Sequence, residues 1–152
     1  MGKMVIGVGG PSPDLAVGLG VFIAGAGIMR AGIGLLAWGA VRSQLAAERI
    51  AVPGSVPRLG GRRVTGPLTA FVEADTVKNA ALKATGGRTY GEMDEDDPHA
   101  RMALDASLIR SSLYSSVAAF GQAAGEIGNG LVMAGIGAAL ASLARRTAAY
   151  PT

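Results

Sequence analysis

The residue types that perform catalysis or bind metals are scarce in this chain of 152 residues. It has no Cys and one His, His99, which follows an acidic run over 94–97. Transition-metal sites need several His or Cys ligands, and the acidic run lacks the sixth-position Gly and the closing Glu of a calcium-binding loop. A solvated helix start explains this run better than a cation site does. The sequence therefore predicts no catalytic residue, no metal site and no cofactor.

Two ionisable residues stand apart from the other charges, near the centres of two long apolar segments. Arg30 falls within 15–41 and Glu126 within 113–144, whereas residues 42–112 contain 19 of the 25 charged residues. A bilayer core of about 30 Å requires about 20 apolar residues in a helix, and both segments exceed that length. We therefore predict transmembrane helices over 15–41 and 113–144, because the segment between them is too polar to cover two buried helices.

Arg30 and Glu126 are predicted to pair with each other. In an antiparallel hairpin, the helical rise of 1.5 Å per residue places both residues at similar depth. Pairing would remove the cost of a lone charge in lipid. Gln122 and Asn129 share the helix face of Glu126. Besides this satisfied polar seam, two roles stay open: Glu126 on a proton path or beside a partner's cofactor, and snorkelling or contact with a neighbouring subunit.

Thirteen of the 24 glycines lie in the two apolar segments, and most repeat at intervals of seven residues. Such a repeat keeps one stripe of a helix against one partner, and small residues let membrane helices approach closely. We predict helix packing, within the hairpin or with other subunits, at Gly18, Gly25, Gly32, Gly39, Gly121, Gly125, Gly128 and Gly135. Second rows run beside these at Gly20, Gly27, Gly34, Gly130 and Gly137.

The predicted fold is an all-α membrane protein, in which a two-helix transmembrane hairpin carries a small, mostly helical polar domain between its spans. The polar domain covers 42–112, and the terminal tails cover 1–14 and 145–152. Both tails are predicted to be cytoplasmic and the polar domain extracytoplasmic, because basic residues favour the cytoplasmic side. The tail residues that carry this orientation are Lys3, Arg145 and Arg146.

Local signals divide the polar domain further. A helix is predicted from Leu68 to a stop at Gly86–Gly87, followed by a capping box at Thr89-x-x-Glu92. Asp96 or Asp97 before Pro98 predicts the start of a helix that continues into the second span. Short strands are predicted near 49–52 and at Val64. The domain also has a basic cluster suited to phospholipid headgroups or an acidic partner, formed by Arg58, Arg62 and Arg63.

Several short motifs occur in a fixed order over residues 38–125. They are Val41-x-Ser43-Gln44-Leu45-x-x-Glu48-x-Ile50, Gly66-Pro67-Leu68-Thr69-Ala70-Phe71, Ala74-Asp75, Thr85-Gly86-Gly87-Arg88-Thr89-Tyr90, Asp97-Pro98, Ser107-Leu108-Ile109-Arg110-x-Ser112-Leu113-Tyr114 and Ser116-Val117-Ala118-Ala119-Phe120-Gly121. In these motifs the chain resembles a group of small actinobacterial two-span membrane proteins, often labelled as subunits of an aromatic ring-opening dioxygenase. The non-haem iron of such an enzyme needs His and carboxylate ligands, so the label finds no support with His99 alone. The resemblance implies no catalytic residues.

The expected function is that of a non-catalytic accessory subunit in a larger membrane complex. In an actinobacterial setting, a respiratory cytochrome bc–oxidase supercomplex is the first candidate partner. The expected partners are other integral membrane subunits and membrane lipids, with no nucleic acid and no small-molecule substrate. The alternative is a small homo-oligomeric channel or transporter that uses Arg30 and Glu126 along a polar path.

Overall fold

The computed structural model describes residues 12–149, which form three α-helices and one short 3-10 turn. Helix α1 covers Pro13–Ala47, α2 covers Pro67–Ala84, the turn covers Tyr90–Glu92, and α3 covers Ala100–Ala148. Helices make up 76% of the described residues, and no strand occurs among them. The predicted all-helical class is therefore confirmed. Residues 1–11, which include Lys3, and residues 150–152 lie outside the described residues. The orientation of the two tails stays a prediction.

Helices α1 and α3 contain the two predicted spans, 15–41 and 113–144. Both are long and apolar enough to cross a membrane. At 1.5 Å per residue, the 35 residues of α1 extend about 50 Å. Only 22% of the most apolar stretch of each helix is buried, whereas the core helix of a soluble protein would be mostly covered. The large exposed side chains of α1 include Phe22, Ile28, Met29 and Leu36.

The contacts divide the chain into two compact units. The first combines the residues up to Ile33 with those from Glu126 onward, and the second is Gly34–Gly125. The first unit is an antiparallel pair formed by the outer parts of α1 and α3. The second has its own hydrophobic core, which draws on the remaining parts of α1 and α3, on α2 and on the loop before it. Its buried members are Leu45, Val52, Val64, Ala70, Ala74, Leu113 and Phe120.

Aromatic rings add two contacts to the second unit. Trp38 of α1 packs edge-on against the buried Phe120 of α3, with ring centroids 4.7 Å apart. Phe71 of α2 meets Tyr114 of α3 in a similar edge-on arrangement at 5.9 Å. Edge-to-face pairs at such separations are favourable because the positive edge of one ring meets the negative face of the other. The first contact joins α1 to α3, and the second attaches α2 to α3.

The loop between α1 and α2 does not contain the predicted strands. It has a single antiparallel bridge between Ala51 and Arg63, flanked by hydrogen bonds from Val52 N to Arg62 O and from Val64 N to Ile50 O. Pairing stops there because Pro residues lack a donor and the glycines turn the chain. Two prolines and three glycines follow Val52, at Pro53, Gly54, Pro57, Gly60 and Gly61.

The predicted helix boundaries in the rest of the second unit are close to the observed ones. Helix α2 begins at Pro67, one residue before the prediction, and it ends before Gly86, whose φ of +66° suits glycine. The Thr89 capping box is confirmed, because the Thr89 N–H and hydroxyl both donate to Glu92 Oε2 at 2.7 Å. Helix α3 begins at Ala100 rather than at Pro98. Asp97 Oδ1 accepts the His99 N–H at 2.9 Å and holds the chain in a turn before the helix.

Candidate functional site

The antiparallel helices of the first unit touch through glycine backbone. A methyl group at Gly20 would stand 2.6 Å from the Ala141 nitrogen, and one at Gly27 would collide with the Ala134 nitrogen. The contact is reciprocal, because methyl groups at Gly130 and Gly137 would strike the backbone of α1. Each step of seven residues along α1 therefore meets a step of seven residues back along α3. The two helices can approach this closely because glycine has no side chain.

The eight glycines predicted to pack do not take part in this contact. Nothing lies within 4 Å of a methyl group placed at any of them, namely Gly18, Gly25, Gly32, Gly39, Gly121, Gly125, Gly128 and Gly135. The contact between α1 and α3 therefore does not use these eight positions. Gly18 and Gly20 are two residues apart, or about 200° around a helix with 3.6 residues per turn, so the two rows occupy nearly opposite faces. Packing of the bare rows against other subunits stays a prediction.

Arg30 and Glu126 meet in a two-point ion pair. Arg30 Nε lies 2.6 Å from Glu126 Oε2, and Arg30 Nη2 donates to Glu126 Oε1 at 2.9 Å. Two parallel N–H···O bonds match the flat guanidinium to the carboxylate and fix the orientation of both side chains. The pairing anticipated from equal depth is therefore present. It lies beside the glycine contact, because the next residue of α1, Ala31, packs against Gly130.

The ion pair is not enclosed by the two helices. The Arg30 and Glu126 side chains are 45% and 40% exposed, respectively. Gln122 and Asn129, one turn before and about one turn after Glu126, are exposed as well. We call Arg30, Glu126 and Asn129, which all belong to the first unit, the polar stripe. The other large exposed side chains of this unit are mostly apolar, among them Phe22, Ile28 and Leu131.

The acidic run around His99 has a structural role in the second unit. The carboxylate of Asp97 accepts the His99 N–H, and its Oδ2 lies 2.8 Å from Arg88 Nη2. These donors hold the pKa of Asp97 below its usual value, the His99 N–H having the largest effect. Among residues 12–149 no group of three or more His, Asp or Glu side chains is arranged to hold a metal ion. Asp97 therefore joins the segment after α2 to the start of α3.

Sequence reasoning missed Glu73, a buried carboxyl on α2. Only 8% of this residue is exposed, and Oε2 has no hydrogen-bond partner within the described chain. Burial raises its pKa above the ordinary value. A signal was available in the sequence, because apolar residues recur at helical spacing at Ala70, Ala74 and Val77, and Glu73 lies among them. The structure buries Ala70 and Ala74 completely. That spacing places Glu73 on the packed side of α2.

Comparison of the chain with known protein families, curated protein sequences and solved structures finds no match.

Proposed function

We propose that this protein is a non-catalytic accessory subunit of a larger membrane complex, anchored by α1 and α3. The observation that carries the proposal is the half-exposed ion pair of Arg30 and Glu126 in the middle of two apolar helices. Charged groups inside a bilayer face protein or water rather than lipid, because exposure to hydrocarbon is expensive. The hairpin covers only part of this pair. A neighbouring membrane subunit would cover the remainder.

The bare glycine rows supply a second reason to expect a partner. The hairpin uses Gly20, Gly27, Gly130 and Gly137 for its own contact, which leaves the rows that begin at Gly18 and Gly121 open. Close approach through small residues is a principal source of helix association in lipid, where no hydrophobic drive between helices exists. A second helix could approach either open row as closely as α1 approaches α3.

The scarcity of His and Cys supports a role without catalysis, since the chemistry of an enzyme would have to come from elsewhere. A respiratory cytochrome bc–oxidase supercomplex is the first assembly to examine, on the strength of the sequence resemblance alone. The proposal itself requires only a stable integral membrane partner.

Site-directed crosslinking tests the proposal, because the chain contains no Cys that would react in place of an introduced one. We would place a single cysteine by Ile33→Cys and attach a photoactivatable crosslinker in native membranes. Ile33 is 55% exposed and lies three residues after Arg30, on the same side of α1 as the ion pair. Leu35→Cys is the matched control, since Leu35 is 61% exposed and points about 200° away from Ile33 around the helix. Gentle detergent extraction and mass spectrometry would identify both the adducts and the proteins that co-purify with the unmodified chain.

The proposal predicts an adduct at Ile33→Cys with a protein that also co-purifies, and a much weaker adduct at Leu35→Cys. Adducts only between copies of this chain would instead favour the homo-oligomeric channel or transporter. Equal adducts at both positions, or purification as a stable monomer with no companion, would overturn the accessory role.

A further inference from the structure

A basic cleft lies in the second unit, at the point where α1 leaves its apolar segment. Its volume is about 440 Å³, and its lining includes Arg42, Arg62, Arg63, Thr69, Leu59 and Leu68. No Asp or Glu lines it. None of the three arginines forms a salt bridge with a described residue. The cleft therefore presents three cationic groups without a counter-charge.

The fold places these arginines from two separate elements. The bridge between Ala51 and Arg63 fixes the backbone of the loop segment that carries Arg62 and Arg63. The buried Val64 fixes one side of that segment, and side chains alternate between the two sides of an extended chain, so Arg63 is directed outward. Arg42 is exposed on α1, three residues before the buried Leu45.

The first turn of α2 adds to the positive character of the cleft. Its N-cap is Gly66, which has no side chain to accept a backbone N–H, and no acidic residue occurs in the first turn. The Thr69 hydroxyl accepts from the Thr65 and Gly66 N–H groups at 3.2 Å and donates to Gly66 O, so it does not cap the amides of the first turn. The amides of Leu68 and Thr69 have no intrahelical partner, as in any first turn. Helix N-termini with free amides favour anions.

We propose that the basic cleft binds a phosphate group, as carried by the headgroup of an anionic phospholipid. Guanidinium groups suit phosphate oxygens because they donate two hydrogen bonds in a plane. Arg42 follows the apolar segment 15–41 directly, and Trp38 lies one turn before it, a position typical of the membrane–water boundary. Leu59 and Leu68 give the cleft an apolar edge that suits the first carbons of the acyl chains. The lipid as source depends on the proposed membrane location, whereas recognition of phosphate does not.

Native mass spectrometry of the full chain in detergent tests this inference. Phosphatidylglycerol and phosphatidylcholine would be titrated separately, and the bound lipid counted for the unmodified chain. The sequence groups Arg58 with Arg62 and Arg63 in one basic cluster, but in the structure Arg58 is not among the residues that line the cleft. R42Q and R58Q therefore form a matched pair, because each removes one positive charge and only Arg42 lines the cleft. We expect R42Q to weaken phosphatidylglycerol binding about fivefold, R42Q/R62Q/R63Q to abolish it, and R58Q to leave it unchanged.

Competition by inorganic phosphate, against chloride at equal ionic strength, separates the possible sources. Lipid that resists displacement identifies the headgroup as the ligand, and lipid that phosphate displaces identifies a site for soluble phosphate. Equal weakening by R42Q and R58Q, or equal binding of both lipids, would overturn the inference. R42Q alone suffices if the triple variant unfolds, because Arg42 lies exposed on a continuous helix. Lipid retention is also independent of co-purification, so this inference and the accessory role can fail separately.

Discussion

Gly27 of α1 lies so close to the Ala134 backbone of α3 that no side chain fits between them. The clash that a methyl group would cause there is with main-chain atoms, which cannot rotate aside as a side chain can. The same relationship recurs one heptad away between Gly20 and Ala141. The separation of the two helices is therefore set by backbone against backbone.

Gly27→Ala should destabilise the hairpin, whereas Gly25→Ala should not. Overpacking against a fixed backbone costs about 1–3 kcal/mol, and the better helix propensity of Ala returns at most about 1 kcal/mol. At Gly25 the methyl group meets nothing within 4 Å, so only the gain in propensity remains. Thermal unfolding in detergent, followed by circular dichroism, would measure both variants. Equal stability of the two would contradict the assigned contact face.

Arg30→Leu and Glu126→Leu should each be more damaging than the double variant. Either single change leaves one charge alone in an apolar region, at a cost of about 2.5–3.5 kcal/mol on insertion scales. The double variant has no lone charge. A double-mutant cycle on membrane insertion or on thermal stability would report the coupling. If the destabilisation of the double variant equals the sum of the two single destabilisations, Arg30 and Glu126 do not stabilise each other in the membrane.

Glu73→Gln should stabilise the protein near pH 7 and have little effect in acid. Because burial raises the pKa of Glu73 above its ordinary value of 4.5, the folded form holds this proton more tightly than the unfolded chain does. The contribution of this group to stability is complete below about pH 4.5 and declines as the pH rises through the folded-state pKa. The Tm should rise by about 2–4 °C for each kcal/mol gained.

The control for Glu73 is Glu95→Gln, which removes a carboxylate that is exposed. Thermal unfolding of both variants and of the unmodified chain between pH 4 and pH 8 would test the expectation. A Glu73→Gln curve that runs parallel to that of the unmodified chain would show that the buried carboxyl does not set this pH dependence.

Asp97→Asn should destabilise the start of α3 near neutral pH, with the opposite pH dependence. Hydrogen bonds from the His99 N–H and from Arg88 lower the pKa of Asp97 below its ordinary value of 3.8. The stability that it contributes is present above about pH 3.8 and is lost as the pH falls through the folded-state pKa. Asp96→Asn is the matched control, since Asp96 is exposed. A Tm difference between the two variants that persists below the folded-state pKa would refute the ionic contribution.

The helices of this protein could be predicted from the sequence because their signals are local. Apolar length predicts α1 and α3, and the left-handed glycines at Gly86 and Gly87 end α2. The strands predicted near 49–52 and at Val64 fail because their residues favour extension but the loop between them leaves room for only one bridge. Its closure depends on tight contacts inside the loop, such as Gly60 against the Gly54 carbonyl.

The choice between the glycine rows could not be made from spacing. The rows that begin at Gly18 and Gly20 have the same seven-residue period. What decides between them is the rotation of α1 about its axis, which brings Gly20 and Gly27 rather than Gly18 and Gly25 against α3. The pairing of Arg30 with Glu126 was easier to anticipate, since each apolar segment has only one charge near its centre. The cleft around Arg42 could not be predicted from the sequence, because its lining combines α1 with the folded loop before α2.

The glycine contact of the hairpin also limits the substitutions that this protein can accept. At Gly20, Gly27, Gly130 and Gly137 every replacement adds atoms where main chain already lies, so no smaller residue exists that could relieve a neighbouring enlargement. An ordinary core can compensate, because one side chain can shrink when another grows. Here compensation would require the helices to move apart, which would also open the ion pair beside Ala31. The four positions are therefore expected to remain glycine together or to change only with the hairpin as a whole.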